Sequence, residues 1–192
     1  MDDSADPRVA RTRTAVLDTA ADIVVEGGPS ALTVDAVVAR SGVARSTIYR
    51  HWPTRDELLV DVFTHCAPAA TAPDPTLGFE DAMRVFLHDL VAQLSDPKWA
   101  RMMPAMTALK LYEPTIAEIE RRMEETQGHV SDDLFDRGER EGRFGPALDR
   151  RRSIALLIGP LVFAILTGET PLTTDLADEA LRCFLAGLDT HR

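Results

Sequence analysis

Residues 41–52 read SGVARSTIYRHW and predict the fold of the N-terminal part of the chain. Gly42 can adopt a positive φ, which a sharp turn between two short helices requires. The residues after this turn, 44–51, form a short helix in which Ile48 faces inward. This helix ends before Pro53, because the residue that precedes a proline is disfavoured in helical geometry. The stretch therefore predicts a helix-turn-helix.

The outer face of the helix over 44–51 is rich in hydrogen-bond donors. With Ile48 inside, this face carries Arg45, Ser46, Thr47, Tyr49, Arg50 and His51. Arginine can donate two hydrogen bonds to guanine, and hydroxyl, tyrosine and histidine side chains reach phosphates. The alternative, a solvated helix face without function, would more naturally carry Lys and Glu. The pattern favours a helix that enters the major groove of DNA.

Helical patterns continue in both directions from this stretch. Apolar residues spaced three and four apart predict a first helix over 7–26, which stops at Gly-Gly-Pro in 27–29. Thr33 is a good N-cap for the second helix, and Thr54 for a fourth that reaches Cys66. Five further helices are predicted over 79–94, from 97, over 114–141, over 150–167 and over 173–188.

These nine helices predict an all-α protein, since no long segment alternates with the period of two that a strand requires. We expect two domains. A helix-turn-helix DNA-binding domain occupies residues 1–53, and a helical effector-binding and dimerisation domain occupies residues 54–192. Residues 54–67 form the connecting helix of the second domain.

Three segments resemble the TetR family of transcriptional repressors: Leu-Thr-Val at 32–34, the stretch 41–52 quoted above, and Arg-Asp-Glu-Leu-Leu at 55–59. The resemblance is close over about residues 11–63. Gly-Pro-Leu at 159–161 and Leu-Thr-Gly-Glu at 166–169 also look like the last-but-one helix of one C-terminal subgroup of the family.

The resemblance implies base contacts from Ala44, Arg45 and Ser46, and phosphate contacts from Thr47, Tyr49 and His51. Arg55 matches a position that is typically Lys, at which a cation meets phosphate. Arg11 and Arg13 match basic residues that reach a phosphate or the minor groove, with ordinary exposed arginines as the alternative. Asp35 is assigned only to the dipole of the second helix. The predicted DNA-binding residues are Arg11, Arg13, Thr33, Ala44, Arg45, Ser46, Thr47, Tyr49, Arg50, His51 and Arg55.

The last two predicted helices carry wide apolar faces. Palindromic operators are read by two-fold dimers whose recognition helices lie about 34–36 Å apart. The resemblance implies that these two helices pair with their mates as a four-helix bundle, and a purely intramolecular core is the alternative. The predicted dimerisation residues are Ile154, Leu157, Ile158, Leu161, Ile165, Phe184 and Leu188.

Methionines and large aromatic residues are frequent in the middle helices, and such a lining suits a small apolar or amphipathic effector. Packing in a helical core is the alternative for each of them. The predicted ligand-binding residues are Phe63, Phe86, Trp99, Met102, Met103, Met106 and Tyr112.

The charge distribution permits DNA binding by the N-terminal part. The chain has 192 residues and a net charge of −10, and residues 56–192, with 14 basic and 24 acidic residues, account for all of it. Residues 7–55 carry seven arginines against four acids. Cys66 and Cys183 are predicted to be buried free thiols, with a redox pair as the alternative.

The motifs of common enzyme classes are absent from the sequence. It contains no Gly-rich phosphate loop, Gly-x-Ser-x-Gly, His-Glu-x-x-His or Cys-x-x-Cys, so we expect neither catalysis nor a metal or cofactor. No secretion signal or membrane-spanning run is evident, and a cytoplasmic location is expected.

Together these observations predict a ligand-responsive transcriptional regulator. We expect a repressor that binds a palindromic double-stranded operator as a homodimer and is released by a small effector. Two alternatives stay open. The ligand could favour the DNA-bound state, as a co-repressor does, or the chain could be a helical interaction protein that does not bind DNA.

Overall fold

Every regular element that the structure describes is a helix. The computed structural model describes residues 7–67, 71–109 and 129–190. The helices are α1 (Pro7–Gly27), α2 (Val34–Ser41), α3 (Arg45–His51), α4 (Arg55–Cys66), α5 (Phe79–Leu94), α6 (Pro97–Leu109), α7 (129–140), α8 (Arg150–Thr167) and α9 (Thr174–Thr190), with a 3-10 turn at Pro29–Ala31. The all-α prediction is confirmed. The predicted start of the seventh helix at Pro114 lies outside the described residues.

Polar side chains fix where several helices begin. The Thr54 hydroxyl accepts a hydrogen bond from the Glu57 backbone N–H at 3.2 Å, at the start of α4. The Asp96 carboxylate accepts from the backbone N–H groups of Lys98 and Trp99 at 2.9 and 3.0 Å, at the start of α6. These bonds satisfy donors that have no partner inside the helix, so each helix begins where its cap stands in the sequence.

The chain forms two compact units. Of the described residues, 7–67 and 101–109 belong to the first unit, and 71–100 and 129–190 to the second. In the first unit, α1 packs against α2 and α4. The domain boundary predicted between residues 53 and 54 stays a prediction.

In the first unit, one carboxylate joins three elements. Trp52, which follows α3 and is only 2% exposed, donates from its indole Nε1 to Oδ2 of Asp61 on α4 at 2.7 Å. Arg13 on α1 donates to the same oxygen at 2.6 Å, and its guanidinium carbon lies 5.7 Å from the centre of the Trp52 ring. Asp61 therefore connects α1 and α4 to the end of α3.

The second unit is built mainly on α5, α8 and α9, which pack against one another. Met83 and Leu87 of α5 and Leu157 and Leu161 of α8 are fully buried. Their spacing of four residues places each pair on one face of its helix, as the apolar periodicity predicts.

An aromatic cluster lies where α7 ends. The ring of Phe79, at the start of α5, lies 6.5 Å from that of Phe135 and 5.3 Å from that of Phe144, measured between centroids. Gly138 leaves room for this cluster, because a Cβ at that position would lie 2.6 Å from the Phe144 ring. The Glu141 carboxylate accepts from the Phe79 backbone N–H at 2.9 Å and so caps α5 from a distant part of the chain.

None of the described helices combines the length and the apolar character that a membrane crossing requires. Cys66 is half-buried and Cys183 is exposed on α9. The prediction that both thiols are buried is therefore wrong, because α9 presents Cys183 outward from the second unit.

Candidate nucleic-acid interface

The turn between α2 and α3 has the geometry that the sequence predicts. The Thr33 hydroxyl accepts from the Ala36 backbone N–H at 3.1 Å and caps α2. Gly42 ends α2 in the left-handed region with φ 70°, and its N–H donates to Val38 O at 3.0 Å. This conformation carries little steric cost for glycine and lets the chain turn sharply into α3.

Burial of Ile48 orients α3. Its side chain is 0% exposed, so the opposite face of the helix lies in solvent. Tyr49, a large ring, is 45% exposed, and the Arg45 side chain is 54% exposed. Among the other predicted contacts, Ala44, Ser46 and Arg50 are exposed, and Thr47 and His51 are half-buried. The structure thus places all seven of these residues on or beside one short helix.

Arg45 forms an ion pair that the sequence did not predict. Its guanidinium contacts the carboxylate of Asp35 in the first turn of α2. Asp35 was expected to act only on the dipole of α2, and it also holds the end of the arginine at the start of α3. Nine residues lie between the two positions, and the geometry of the turn decides whether their side chains meet, so the sequence alone did not predict the pair.

The two arginines predicted near the start of the chain are placed differently. Arg11 is exposed and donates from Nε to Pro7 O at 3.1 Å, within its own helix. Arg13 is engaged with Asp61 and with the Trp52 ring, as described above, although 48% of its side chain is exposed. Arg11 is thus the more available of the two for a nucleic acid.

The guanidinium of Arg55 is occupied within the first unit. Nη2 donates to Pro29 O at 2.7 Å and Nε to Leu32 O at 3.0 Å, while Nη1 lies 3.4 Å from the Asp56 carboxylate. These bonds hold the start of α4 against the segment before α2. The phosphate contact expected from Arg55 stays a prediction, and the described geometry assigns this residue a structural role.

The predicted ligand-binding residues are distributed over both units. Phe63, Met102 and Met103 belong to the first unit, and Phe86 and Trp99 to the second. Phe63 and Met102 are fully buried, whereas Phe86 and Met103 are half-buried. Tyr112 and the side chain of Met106 lie outside the described part of the structure. The grouping of these residues around one ligand stays a prediction.

Trp99 differs from the other members of this set. Its side chain is 3% exposed, and within the described structure its indole Nε1 is a buried polar atom with no hydrogen-bond partner. Buried donors are nearly always paired, and an unmade hydrogen bond costs about 1–3 kcal/mol. Trp52, the other tryptophan, has its donor satisfied by Asp61.

The predicted dimerisation residues are only in part on the surface. Leu157 and Leu161 are 0% exposed and Phe184 is 9% exposed, because α5, α8 and α9 enclose them in the core of the second unit. Leu157 and Leu161 are thus covered within their own unit, and the dimerisation role predicted for these residues stays a prediction. Ile154, Ile158, Ile165 and Leu188 are half-buried.

A different apolar face of α8 is open to solvent. Leu156 is 63% exposed, Phe163 54% and Leu166 37%, values that are high for large apolar side chains. Beside them a shallow groove runs between α8 and α9, lined by Leu156, Pro160, Leu176, Glu179, Ala180, Cys183 and Phe184. The sequence did not predict this face, because α8 is apolar almost all round and its periodicity does not distinguish one side from another.

No group of three or more His, Cys, Asp or Glu residues in the described ranges is arranged to hold a metal ion.

The helical fold and the exposed face of α3 define an all-helical DNA-binding regulator of the helix-turn-helix class.

Comparison with known proteins narrows this class. Residues 16–62 match the family described as bacterial regulatory proteins, tetR family, and residues 73–183 match the tetracyclin repressor-like C-terminal domain. The chain belongs to the TetR family of transcriptional regulators.

Relatives and solved structures agree with this assignment. The uncharacterized HTH-type transcriptional regulator YdeS of Bacillus subtilis is 26% identical over 180 residues, which are 93% of this chain and 90% of YdeS. The HTH-type transcriptional repressor LfrR of Mycolicibacterium smegmatis is 41% identical over 76 residues, 38% of this chain and 39% of LfrR. A TetR-family structure from Mesorhizobium loti has a TM-score of 0.70 at 17% identity, covering 95% of this chain and 98% of that one.

Proposed function

We propose that the protein is a ligand-responsive repressor that binds a palindromic operator as a homodimer and is released by a small effector. The observation that carries this proposal is the face of α3, where Arg45, Tyr49 and Arg50 lie in solvent around the buried Ile48. A helix of this kind, following a tight turn, can enter a major groove and donate to base edges and phosphates.

Dimerisation is supported by the exposed face of α8. A large aromatic ring such as Phe163 is costly to leave in water, and contiguous apolar surface on a folded protein commonly marks an interface. We assign this face, together with the groove between α8 and α9, to contact with a second copy of the chain. Two copies related by a two-fold axis would present two recognition helices to the two half-sites of a palindrome.

An effector of apolar or amphipathic character is supported by the buried Trp99. Its indole N–H, which has no partner among the described residues, could donate to an oxygen acceptor on a small molecule whose body is apolar. We propose that binding of such a molecule causes the protein to release its operator DNA. Because the operator is in the cytoplasm, the proposed function implies a cytoplasmic location.

The first experiment titrates the purified full-length protein against fluorescent DNA from immediately upstream of its own gene. We expect saturable binding that survives competition by random DNA and weakens steeply with salt, because phosphate contacts release counterions. Arg45→Ala should weaken binding to the specific site by about 5- to 150-fold, the range for loss of one good base contact. Arg140→Ala is the matched control, since this arginine is exposed on α7 of the second unit and does not belong to the α8 face assigned to the second copy.

Binding no tighter than to random DNA would lead to selection of bound fragments from the whole genome, with and without cell extract as a source of a co-repressor. If no fragment is enriched in either condition, the proposal is wrong. If a specific site is found, a reporter gene under its control should be expressed less when the protein is present, and an increase would contradict repression.

A further inference from the structure

The ion pair between Asp35 and Arg45 joins the first turn of α2 to the first turn of α3. Both side chains are largely in solvent, with Arg45 54% and Asp35 71% exposed. Exposed ion pairs add little to the stability of a fold, because water screens the attraction and two long side chains lose freedom. The pair does, however, define the direction in which the Arg45 guanidinium points.

Asp35 is not needed to start α2. The N-cap is Thr33, whose hydroxyl accepts from the Ala36 backbone N–H, and α2 ends normally at Gly42. A carboxylate next to a DNA-reading helix also repels phosphates and so lowers affinity for any sequence. The favourable interaction of Asp35 with the α2 dipole does not depend on Arg45, so it leaves the ion pair between the two side chains without an explanation.

We propose that Asp35 is a positioning residue that determines sequence specificity. Its carboxylate occupies part of the Arg45 guanidinium and leaves the remaining N–H groups directed at a guanine, whose O6 and N7 accept two hydrogen bonds. Without Asp35, the flexible arginine can turn to the nearest phosphate, a contact that carries no sequence information. This inference rests on the proposed function, because it requires that α3 reads an operator.

The pairing also reduces the charge that Arg45 presents to the phosphate backbone. Arg45 should therefore contribute to discrimination between sequences more than to total affinity. Loss of Asp35 should have two opposite effects. Preference for guanine at one position falls, while binding to random DNA stays the same or becomes tighter, since one negative charge has been removed.

A second exposed pair in the same unit provides a matched control. Arg40 on α2 donates to both carboxylate oxygens of Glu26 on α1, at 2.5 and 2.6 Å, and their side chains are 44% and 55% exposed. These hydrogen bonds hold the pKa of Glu26 below its ordinary value. Glu26→Ala removes the same charge and breaks the same kind of pair, but away from the first turn of α3.

The test is in vitro selection from random double-stranded DNA with the full-length protein, followed by sequencing. Wild type, Arg45→Ala, Asp35→Ala and Glu26→Ala are compared, and thermal unfolding is measured for each. We expect wild type to select a guanine at a position where Arg45→Ala loses the preference. Asp35→Ala should reduce the preference for that guanine at least about fivefold, the lower limit for a bidentate base contact. Glu26→Ala should select the wild-type site, and Asp35→Ala should lower the unfolding temperature only slightly, because α2 loses the favourable charge in its first turn but keeps the Thr33 cap.

Several outcomes would overturn the inference. If Asp35→Ala keeps the guanine preference that Arg45→Ala loses, Asp35 does not position Arg45, although operator reading still stands. The inference also fails if Arg45→Ala changes no base preference. It fails likewise if Glu26→Ala reduces the preference for the guanine as much as Asp35→Ala does. If wild type selects no sequence at all, the proposed function fails together with this inference.

Discussion

Replacing Asp61 by alanine should destabilise the first unit, because its carboxylate is the acceptor that connects Trp52 with Arg13. The Trp52 indole is 2% exposed, and leaving its N–H without a partner costs about 1–3 kcal/mol. The ion pair with Arg13, whose side chain is 48% exposed, adds at most about 1 kcal/mol. We therefore expect the free energy of unfolding to fall by about 1–4 kcal/mol.

Urea unfolding followed by tryptophan fluorescence measures this loss. The chain has two tryptophans, so a Trp99→Phe background restricts the signal to Trp52. Arg13→Ala is the control, because it removes the exposed partner and leaves the indole hydrogen bond intact. Its expected loss is about 1 kcal/mol. If Asp61→Ala unfolds at the same urea concentration as Arg13→Ala, the Trp52 hydrogen bond does not contribute and the reasoning is refuted.

Three further predictions concern the second unit. Phe163→Asp should convert the dimer into a monomer in sedimentation analysis. Val85→Asp, at a 39% exposed position on α5, is the control and should stay dimeric. A dimeric Phe163→Asp protein would contradict the assigned interface. Trp99→Phe, which removes the indole N–H donor and replaces the two-ring indole by a single ring, should weaken effector binding about 5- to 10-fold by calorimetry, and unchanged affinity would exclude that hydrogen bond. Glu141→Ala should lower the free energy of unfolding, measured by urea denaturation, by about 1 kcal/mol because the Phe79 N–H at the start of α5 loses its acceptor. Glu141→Gln keeps an acceptor oxygen, so its free energy of unfolding should fall by less.

Local sequence determined the helices of this protein with good accuracy. Thr33 and Thr54 cap the helices that they were predicted to cap, and α5 and α8 have the predicted limits. A helical hydrogen bond spans four residues and a cap three, so the interactions that begin and end a helix can be read from neighbouring positions. The buried Ile48 and the positive φ of Gly42 follow from the same short-range rules.

Tertiary structure alone decided which partner each charged side chain took. The bonds from Arg13 to Asp61 and from Arg55 to Leu32 span 48 and 23 residues, and both arginines were expected to meet DNA. The exposed face of α8 was likewise decided by packing, because a helix that is apolar almost all round does not reveal which side its own unit covers. Leu157 was buried and Phe163 left in solvent only when α5 and α9 packed against α8. Sequence periodicity specifies which residues share a helix face, whereas the neighbours that cover that face come from distant parts of the chain.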